Sequence, residues 1–533
     1  MLAGRTAACC LGLFCLLFAS AAASGADWPQ WGGRDSRNMV SEETGLPDSF
    51  EPGQKQPSGE GIDPQTSRNV KWTARLGSAA YGNPTVAGGK VFVGTDDLLV
   101  TDDPRFKRCR GGLVQCLDEA TGNLLWRLVI PQRTDIPKEM HFGHQHLGVC
   151  SSATVEGDRA YVVSCAGDIV CLDVDGQADG NDGPYTDEAQ YMVGPGNPPV
   201  ELSEHDADIV WRYDPIDELG VFVHDAASCS VLLCGDVLYV GTSNGVDQPH
   251  EKVLNPEAPA LIALDKRTGR LVGAENEGIS ARLYHCQWSS PSLGEVGGRT
   301  LVFFGGGDGV CYAFEALAEV PENRVDLKKV WSYDCNPPEY KYRDGKLIPY
   351  YEGDKRKGNS TNKDDGLYVG PSQIIATPAF CQGRVYVTIG QDPAHGRGKG
   401  LLHCIDATQT GDVTQTGRVW AYDGLDRSMA TPTIADGLVY AADVAGRLHC
   451  LDADTGACYW VHETGAETWG GVLVADGKLY FGTKEQFLVL AAGREFKVLS
   501  EVYLGSPAYS TPITANGVLY VASQRYLWAV QQQ

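Results

Sequence analysis

The stretch that decides the fold is residues 428–460, which read SMATPTIADGLVYAADVAGRLHCLDADTGACYW. Short apolar runs in it are separated by turn signals at Asp436-Gly437 and Thr455-Gly456, and this pattern indicates four short strands rather than helices. A four-stranded sheet of this size cannot bury both of its faces alone. The stretch therefore predicts copies of itself on either side.

Further copies of the unit occur along the chain. In residues 428–460 a proline is followed five residues later by a glycine and then by Val439 and Tyr440. Similar units, some with Ala or Val for the proline or with a longer turn, begin at Pro84, Ala153, Val231, Pro291, Pro378, Val472 and Pro512. The last unit ends after three strands, and residues 69–77, NVKWTARLG, offer the missing fourth. We predict an all-β fold over residues 69–533, an eight-bladed β-propeller of four-stranded blades closed by this N-terminal strand.

The bulk composition narrows the class of protein. Lys and Arg number 44 against 68 Asp and Glu, a net charge of −24, which argues against binding of nucleic acid. Residues 1–26 carry a short apolar run and then small residues, as a secretory signal peptide does, and residues 27–68 form an N-terminal extension. We expect an exported protein, periplasmic or secreted, without an integral membrane segment.

Long insertions are predicted to collect on one face of the propeller. Loops that enter the first strand of a blade share a face with the loops between second and third strands. Residues 334–373 and the insertions that begin at Asp97, Asn244 and Gln391 occupy such positions. Because function concentrates in loops on a rigid scaffold, we expect this decorated face to bind a small molecule or a protein partner.

Aromatic and titratable residues are predicted to surround the central opening on that face. Many of them lie at or just before the innermost strands: Tyr81, His141, His144, His146, His224, Asp225, His285, Trp288, Arg427, Trp469 and Tyr509. Three interpretations remain open: a polar, water-filled mouth, a ligand pocket in which Trp288 and Trp469 stack on the ligand, and a metal site. For a metal, His144 and His146 alternate onto one face of a strand and imidazole is a common ligand.

A second candidate metal site lies in an acidic insertion. Counted from Asp175, residues 173–188 place oxygen ligands at the first and fifth positions, Asp175 and Asp179, with Gly180 at the sixth, as in a calcium loop. The terminal glutamate is out of place. An ordinary acidic surface loop is the alternative.

Two segments carry a family resemblance. LDADTGACYW (451–460) and LDEATGNLLW (117–126) resemble the tryptophan-docking motif of the pyrroloquinoline-quinone (PQQ) dehydrogenases. The same repeat occurs in the propeller lipoprotein of outer-membrane assembly. The resemblance implies the propeller fold and structural clamps between blades at Trp72, Trp126, Trp211, Trp331, Trp420 and Trp460.

The resemblance also implies possible cofactors, PQQ with calcium. The quinoprotein enzymes hold the quinone against an adjacent cysteine pair, whereas the adjacent cysteines of this chain, Cys9 and Cys10, lie in the predicted signal peptide. Three functions follow as hypotheses. The first is an exported propeller that binds a ligand or a protein. The second is a PQQ-dependent oxidoreductase of an alcohol or sugar, with Trp288 or Trp469 as quinone platform and Asp225 as catalytic base. The third is a metal-binding propeller.

Overall fold

The computed structural model confirms an all-β propeller with eight blades. It describes residues 25–59, 61–143, 146–348, 351–352, 355–356, 360–361, 367–390 and 395–532. The predicted signal peptide up to residue 24 and His144 lie outside these residues. Within the described ranges, no helix combines the length and apolar character needed to cross a membrane.

Each blade is an antiparallel sheet of four strands, given below from the innermost to the outermost. Blade one consists of Thr85–Ala87, Lys90–Asp96, Gly112–Asp118 and Leu124–Ile130, and blade two of Thr154–Glu156, Arg159–Val163, Ile169–Asp173 and Ile209–Tyr213. Blade three consists of Leu232–Cys234, Val237–Gly241, Leu261–Asp265 and Leu271–Ala274, and blade four of Ser292–Val296, Arg299–Gly305, Val310–Glu315 and Lys329–Asp334. Blade five consists of Ala379–Cys381, Arg384–Ile389, Leu401–Asp406 and Arg418–Tyr422, and blade six of Thr433–Ala435, Leu438–Ala442, Arg447–Asp452 and Cys458–Glu463. Blade seven consists of Leu473–Ala475, Lys478–Gly482, Phe487–Ala491 and Val498–Val502, and blade eight of Ile513–Ala515, Val518–Ala522, Tyr526–Val530 and Val70–Arg75.

The outermost strand of blade eight comes from the N-terminal side of the chain, as predicted. Val70–Arg75 pairs antiparallel with Tyr526–Val530, with Thr73 opposite Trp528 and Arg75 opposite Tyr526. Pairing the two ends of the repeat region in one sheet leaves no blade with only three strands. The ring is closed through backbone hydrogen bonds.

The remaining elements are short and lie in the N-terminal extension or in the loops between the blade strands. Two-residue strands are Gln54–Lys55, Ile62–Asp63, Val325–Asp326, Tyr342–Arg343, Lys346–Leu347, Tyr351–Glu352, Lys355–Arg356, Ser360–Thr361, Tyr368–Val369 and Gly411–Asp412. The described α-helices are Glu188–Tyr191, Pro215–Leu219 and Pro338–Lys341, and the 3₁₀ turns are Pro64–Thr66, Asp97–Asp102, Gly176–Ala178 and Ser280–Arg282.

A ring of hydrogen bonds links the innermost strands of neighbouring blades. The residue just before the Pro432-equivalent position is small and polar in most blades: Asn83, Ser152, Ser230, Ser290, Thr377, Thr431, Gly471 and Thr511. The backbone N–H of one such residue donates to the side-chain oxygen of the next in six described links, including Asn83 to Ser152 (3.1 Å) and Thr511 to Asn83 (3.1 Å). This inner ring spans the junction where the chain closes on itself.

The residue that precedes the inner-ring residue in each blade is also small, because the neighbouring blade lies close to it. A Cβ atom at Gly82 would lie 2.8 Å from the carbonyl oxygen of Ser151, and one at Gly470 would lie 2.9 Å from that of Tyr509. The side chain at this position therefore faces the next blade. The positions before and after it face the axis, as alternation along a strand requires.

Tryptophan indoles connect outer strands to the adjacent blade. The N–H of Trp72, Trp126, Trp211, Trp331, Trp420 and Trp460 donates in each case to a backbone carbonyl of the following blade, at 2.9–3.2 Å. In four of these contacts the ring also covers a glycine of the neighbour: Gly122, Gly176, Gly269 or Gly456. These contacts lie on the rim and leave the axis free.

The N-terminal extension begins with an arm, residues 26–41, that crosses the end of the axis opposite the decorated face. Its backbone and side chains form hydrogen bonds with the first strand, or with a residue next to that strand, in all eight blades. Arg37 is fully buried at its centre and donates to the carbonyl oxygens of Val231 (2.7 Å) and Pro291 (3.1 Å). The arm thus closes this end of the propeller.

Candidate functional site

A cavity of about 590 Å³ lies on the axis between the arm and the decorated face. Its floor is formed by the inner ring and by Trp31 of the arm, whose indole N–H donates to Thr377 Oγ1 at 3.0 Å. The wall above carries the larger residues that precede the inner ring. The histidines described below lie at the mouth.

Three aromatic rings from blades one, seven and eight lie nearly parallel on one side of the cavity. The centroid of Trp469 is 5.4 Å from that of Tyr81 and 4.3 Å from that of Tyr509, with interplanar angles of 15° and 11°. The Trp469 indole N–H donates to Glu467 Oε1 at 2.7 Å, which holds the ring. Burial raises the pKa of both tyrosines to about 12, so both hydroxyls stay neutral at physiological pH. The cluster offers a flat, uncharged surface.

Three imidazoles meet at the mouth of the cavity. The Nε2 of His250 lies 3.1 Å from His224 Nε2 and 3.0 Å from His285 Nε2. His224 and His285 are buried, and His250 lines the cavity. The ring of His395 packs edge-on at 4.7 Å from that of His285, measured between centroids. The side chains of His224, His250 and His285 could together hold a metal ion.

A carboxylate lies beside this cluster. Asp225 has a φ of 57°, and its Oδ1 lies 3.1 Å from His141 Nε2. Its Oδ2 is 3.8 Å from His224 Nε2. Both Asp225 and His141 line the cavity, and a parallel backbone bridge between Phe142 and Asp225 joins their loops. The carboxylate of Asp225 is therefore placed to accept a proton or to stabilise a bound cation.

The cavity wall is otherwise poor in charge. Among the described residues, the lining contains no Lys or Arg, and Asp225 is its single carboxylate. Trp288 lies on the side away from the aromatic cluster, its indole N–H bonded to Ala226 O at 2.9 Å. Its ring meets His285 edge-on at 5.1 Å. The cavity thus combines largely apolar walls with a polar mouth and a floor of small, mostly polar side chains.

The structure brings together Tyr81, His224, Asp225, His285, Trp288, Trp469 and Tyr509 of the predicted site residues. Two others lie elsewhere. The Nε of Arg110 lies 2.7 Å from His146 Nε2, so the imidazole of His146 faces a guanidinium rather than the other histidines. Arg427 is fully buried and is not part of the cavity lining.

The acidic insertion places three carboxylates close together. Asp173, Asp175 and Asp179 have oxygens within 4.8 Å of one another. Asp175 pairs with Lys90 Nζ at 2.9 Å, and Asp173 pairs with Arg159. Burial raises the pKa of Asp173, with the neighbouring carboxylates adding to the shift. Two basic side chains already compensate much of this charge.

Sequence reasoning missed His250 and His395. Both lie in insertions between second and third strands, in blades three and five, within sequence of low periodicity. A signal was present, because both end an Asp-x-x-His sequence, Asp247-Gln-Pro-His250 and Asp392-Pro-Ala-His395. Equivalent loops on nearby blades that carry the same pattern point to a shared location.

Comparisons with known proteins agree with the architecture. The chain is similar to BamB from Moraxella catarrhalis, with a TM-score of 0.50, 13% identity, and coverage of 86% of this chain and 96% of that one. It is also similar to a europium-containing methanol dehydrogenase, with a TM-score of 0.54, 12% identity, and coverage of 93% and 89%. A search of curated proteins found no match. At these identities the likeness concerns the fold.

The family comparison goes further. The model of the family described as outer membrane protein assembly factor BamB matches residues 110–316 and 398–495, more than half of the chain. The matched residues include the repeats and indole contacts of blades two, three and six. The protein therefore belongs to this family of PQQ-repeat propellers.

Proposed function

We propose that the protein binds an uncharged, largely aromatic or apolar small molecule in the axial cavity, which the ligand enters from the decorated face. The observation that supports this most directly is the cavity itself, about 590 Å³ with the parallel rings of Tyr81, Trp469 and Tyr509 along one wall. Cavities of this size with apolar walls and few polar groups are typical of small-molecule sites. Because the arm closes the far end, the mouth lies on the decorated face.

The preference for an uncharged ligand follows from the small number of charged side chains in the cavity wall. An anion in the cavity would meet no Lys or Arg among the lining residues that are described. An organic cation would find Asp225 as the one carboxylate of the described lining, and this side chain already contacts His141 at 3.1 Å. Burial of an uncompensated charge costs several kcal/mol, on the order of the whole binding energy of a weak ligand. A neutral ring loses only its hydration and gains stacking.

PQQ is the second candidate ligand, because relatives with this fold include dehydrogenases and because Trp469 presents a flat ring. The lining residues do not fit it well. PQQ carries three carboxylates and needs basic partners, which the described wall lacks. Calcium held beside it would need several oxygen ligands, and Asp225 is the single carboxylate there.

The family description also raises a protein partner, because BamB is named as an assembly factor. Residues 334–373 are the longest of the insertions that the sequence assigns to the decorated face, so they are the first candidate for such contact. Deletion of this insertion is expected to leave small-molecule binding intact. A co-purifying protein that disappears with the deletion would instead support the partner hypothesis.

The binding test compares matched ligands. Isothermal titration of the chelator-stripped protein with naphthalenemethanol and with naphthoate separates the contribution of the ring from that of the charge. We expect saturable binding of the alcohol and at least about tenfold weaker binding of the carboxylate. Trp469→Ala should abolish binding of the alcohol, whereas Tyr503→Ala, at a residue 63% exposed, serves as the matched control.

Two outcomes would overturn the proposal. The first is equal affinity for alcohol and carboxylate, which would contradict the inference from wall charge. The second is stoichiometric PQQ binding in the presence of calcium with dye reduction, which would support the oxidoreductase hypothesis instead.

Export belongs to the same proposal. It is supported by the apolar run and small residues within positions 1–26. Expression of the full chain in a two-membrane bacterium should yield mature protein that begins near residue 24 or 27. N-terminal sequencing of the periplasmic fraction tests this, and recovery of uncleaved chain in the cytoplasm would contradict it.

A further inference from the structure

We propose that His224, His250 and His285 bind one divalent late transition-metal ion, of the Cu²⁺ or Zn²⁺ class. Each contributes the Nε2 atom of its ring, and the three atoms converge at one point. His250 Nε2 is 3.1 Å from His224 Nε2 and 3.0 Å from His285 Nε2. The residues come from three separate loops, so this convergence is a product of the tertiary fold.

The distances match those of nitrogen ligands around one ion. Zn–N bonds are ~2.1 Å, which places ligand nitrogens roughly 3.0 to 3.4 Å apart for angles from a right angle to tetrahedral. The observed separations from His250 fall at the short end of that range. Little rearrangement of the rings is needed to admit an ion.

The outer nitrogen of one ligand is already oriented. His224 Nδ1 lies 2.7 Å from the carbonyl oxygen of Val246, so that nitrogen carries the proton and donates it. The Nε2 of His224 then presents its lone pair toward His250 and His285. A backbone carbonyl that fixes the tautomer of a histidine is a regular feature of metal-ligating imidazoles.

Backbone hydrogen bonds tie the three loops together. The Val246 N–H donates to the carbonyl oxygen of His285 at 2.9 Å, and Gly245 forms an antiparallel bridge with Cys286. Val223, next to His224, forms a bridge with Asn244. The ligands are therefore held on a small built framework, as a preorganised site requires.

The donor set indicates the metal class. The cluster offers imidazole nitrogens, and the nearby Cys286 thiol is directed to the carbonyl oxygen of Ser243 at 3.1 Å instead. Nitrogen ligands without thiolates suit Zn²⁺ and Cu²⁺ more than Ca²⁺ or Mg²⁺. The carboxylate of Asp225, 3.8 Å from His224 Nε2, adds favourable charge.

Three protein ligands leave a coordination position open. His250 and Asp225 line the cavity, so the open position faces the space where the proposed small molecule binds. This last step rests on the proposed ligand. The metal site does not, because its geometry is complete without one.

The test uses untagged protein stripped with a chelator and then loaded with Zn²⁺, Cu²⁺ or Co²⁺. After gel filtration, elemental analysis should find one Zn²⁺ or one Cu²⁺ per chain. The Co²⁺ form should show visible absorption, and the Cu²⁺ form should show nitrogen hyperfine coupling in its electron paramagnetic resonance spectrum.

Variants separate this site from surface binding. His250→Ala and His285→Gln should each weaken metal affinity by at least about a hundredfold, because even outer-shell changes cost 10–100-fold. His205→Ala, at a side chain 65% exposed, should bind as the wild type does. Circular dichroism confirms the fold of each variant. His250 lies in a loop and is only half-buried, so its replacement is expected to be tolerated.

The inference is overturned by substoichiometric loading of the folded wild type with all three ions. It is equally overturned by wild-type affinity in His250→Ala, or by a Cu²⁺ spectrum without nitrogen coupling. None of these results bears on titration of the stripped protein with naphthalenemethanol, so the two proposals fail separately.

Discussion

Imidazole side chains serve two different purposes in this protein. At the mouth of the cavity, His224, His250 and His285 direct Nε2 atoms at one another. In the third strands of blades five and six, His403 and His449 are buried and form hydrogen bonds instead. The Nε2–H of His403 donates to Cys335 O at 2.9 Å, and its Nδ1 accepts from the Tyr333 hydroxyl at 3.1 Å. Burial of a histidine therefore does not identify it as a metal ligand, whereas the convergence of several ring nitrogens does.

The neutral form of His403 makes stability depend on pH. Burial lowers its pKa from 6.5 to about 4, so the folded chain binds fewer protons than the unfolded chain between these values. Its contribution is present above about pH 6.5 and is lost progressively as the pH falls toward about 4, amounting to roughly 3 kcal/mol. His403→Gln should remove this part of the acid sensitivity. Thermal midpoints of both proteins across that pH range measure it, and parallel curves would contradict the assignment.

The rim indoles should each contribute modestly. Trp331→Phe keeps most of the apolar contact but leaves the carbonyl of Ala407 without its donor at 3.2 Å. We expect a loss of about 1–2 kcal/mol in the free energy of unfolding. Trp469→Phe is the matched control, because its indole bonds Glu467 within its own blade. Equal losses in the two variants would argue against a clamp between blades.

Among the larger elements, the N-terminal arm has the least expected role. The sequence indicates only an extension before the propeller, whereas the arm lies across the axis and contacts every blade. Its buried Arg37 has a pKa lowered to about 10 by burial, so it remains protonated at neutral pH. The guanidinium joins carbonyl oxygens of blades three and four.

Removal of this guanidinium should loosen the arm. Arg37→Ala is expected to cost about 3 kcal/mol, because buried carbonyls lose charge-assisted bonds, and Arg37→Lys should not restore it. Trp31 should then become accessible to acrylamide quenching. Arg34→Ala is the control in the same arm, since Arg34 makes a single, exposed bond to Val40 O. Unchanged quenching in Arg37→Ala would show that the arm is held by other contacts.

For the molecule as a whole, closure is the central energetic feature. The inner ring connects blade eight to blades seven and one, and the strand Val70–Arg75 completes blade eight from the N-terminal side of the chain. Because each blade buries its faces against the two adjacent blades, damage at the closure is expected to affect the entire ring.

The junction of blades eight and one tests this. Asn83→Ala removes the acceptor for the buried Thr511 N–H, now bonded to Asn83 Oδ1 at 3.1 Å. The expected cost is about 1–3 kcal/mol, with one cooperative transition at a lower temperature. Asn123→Ala, in an exposed turn of blade one, should change little. A separate early transition in Asn83→Ala would indicate that blade eight unfolds alone.

The repeat pattern determined the architecture because alternation of apolar residues marks each strand and its buried face, and Gly or Asp-Gly marks each turn. Blade number and closure by residues 69–77 follow from counting such local signals, and the structure confirms both. The location of Trp288, Trp469 and Tyr509 around one cavity followed from their equivalent positions in the repeat.

The tertiary structure alone decided where the histidine cluster lies and that one end of the cavity is closed. His250 and His395 lie in irregular loops, whose paths depend on contacts between blades and leave no periodic trace in the sequence. The arm crosses the axis because its polar groups find backbone N–H or carbonyl partners in all eight blades, which are in place only after the ring has closed. Local patterns define repeated elements, whereas sites built from several loops depend on where the assembled elements place them.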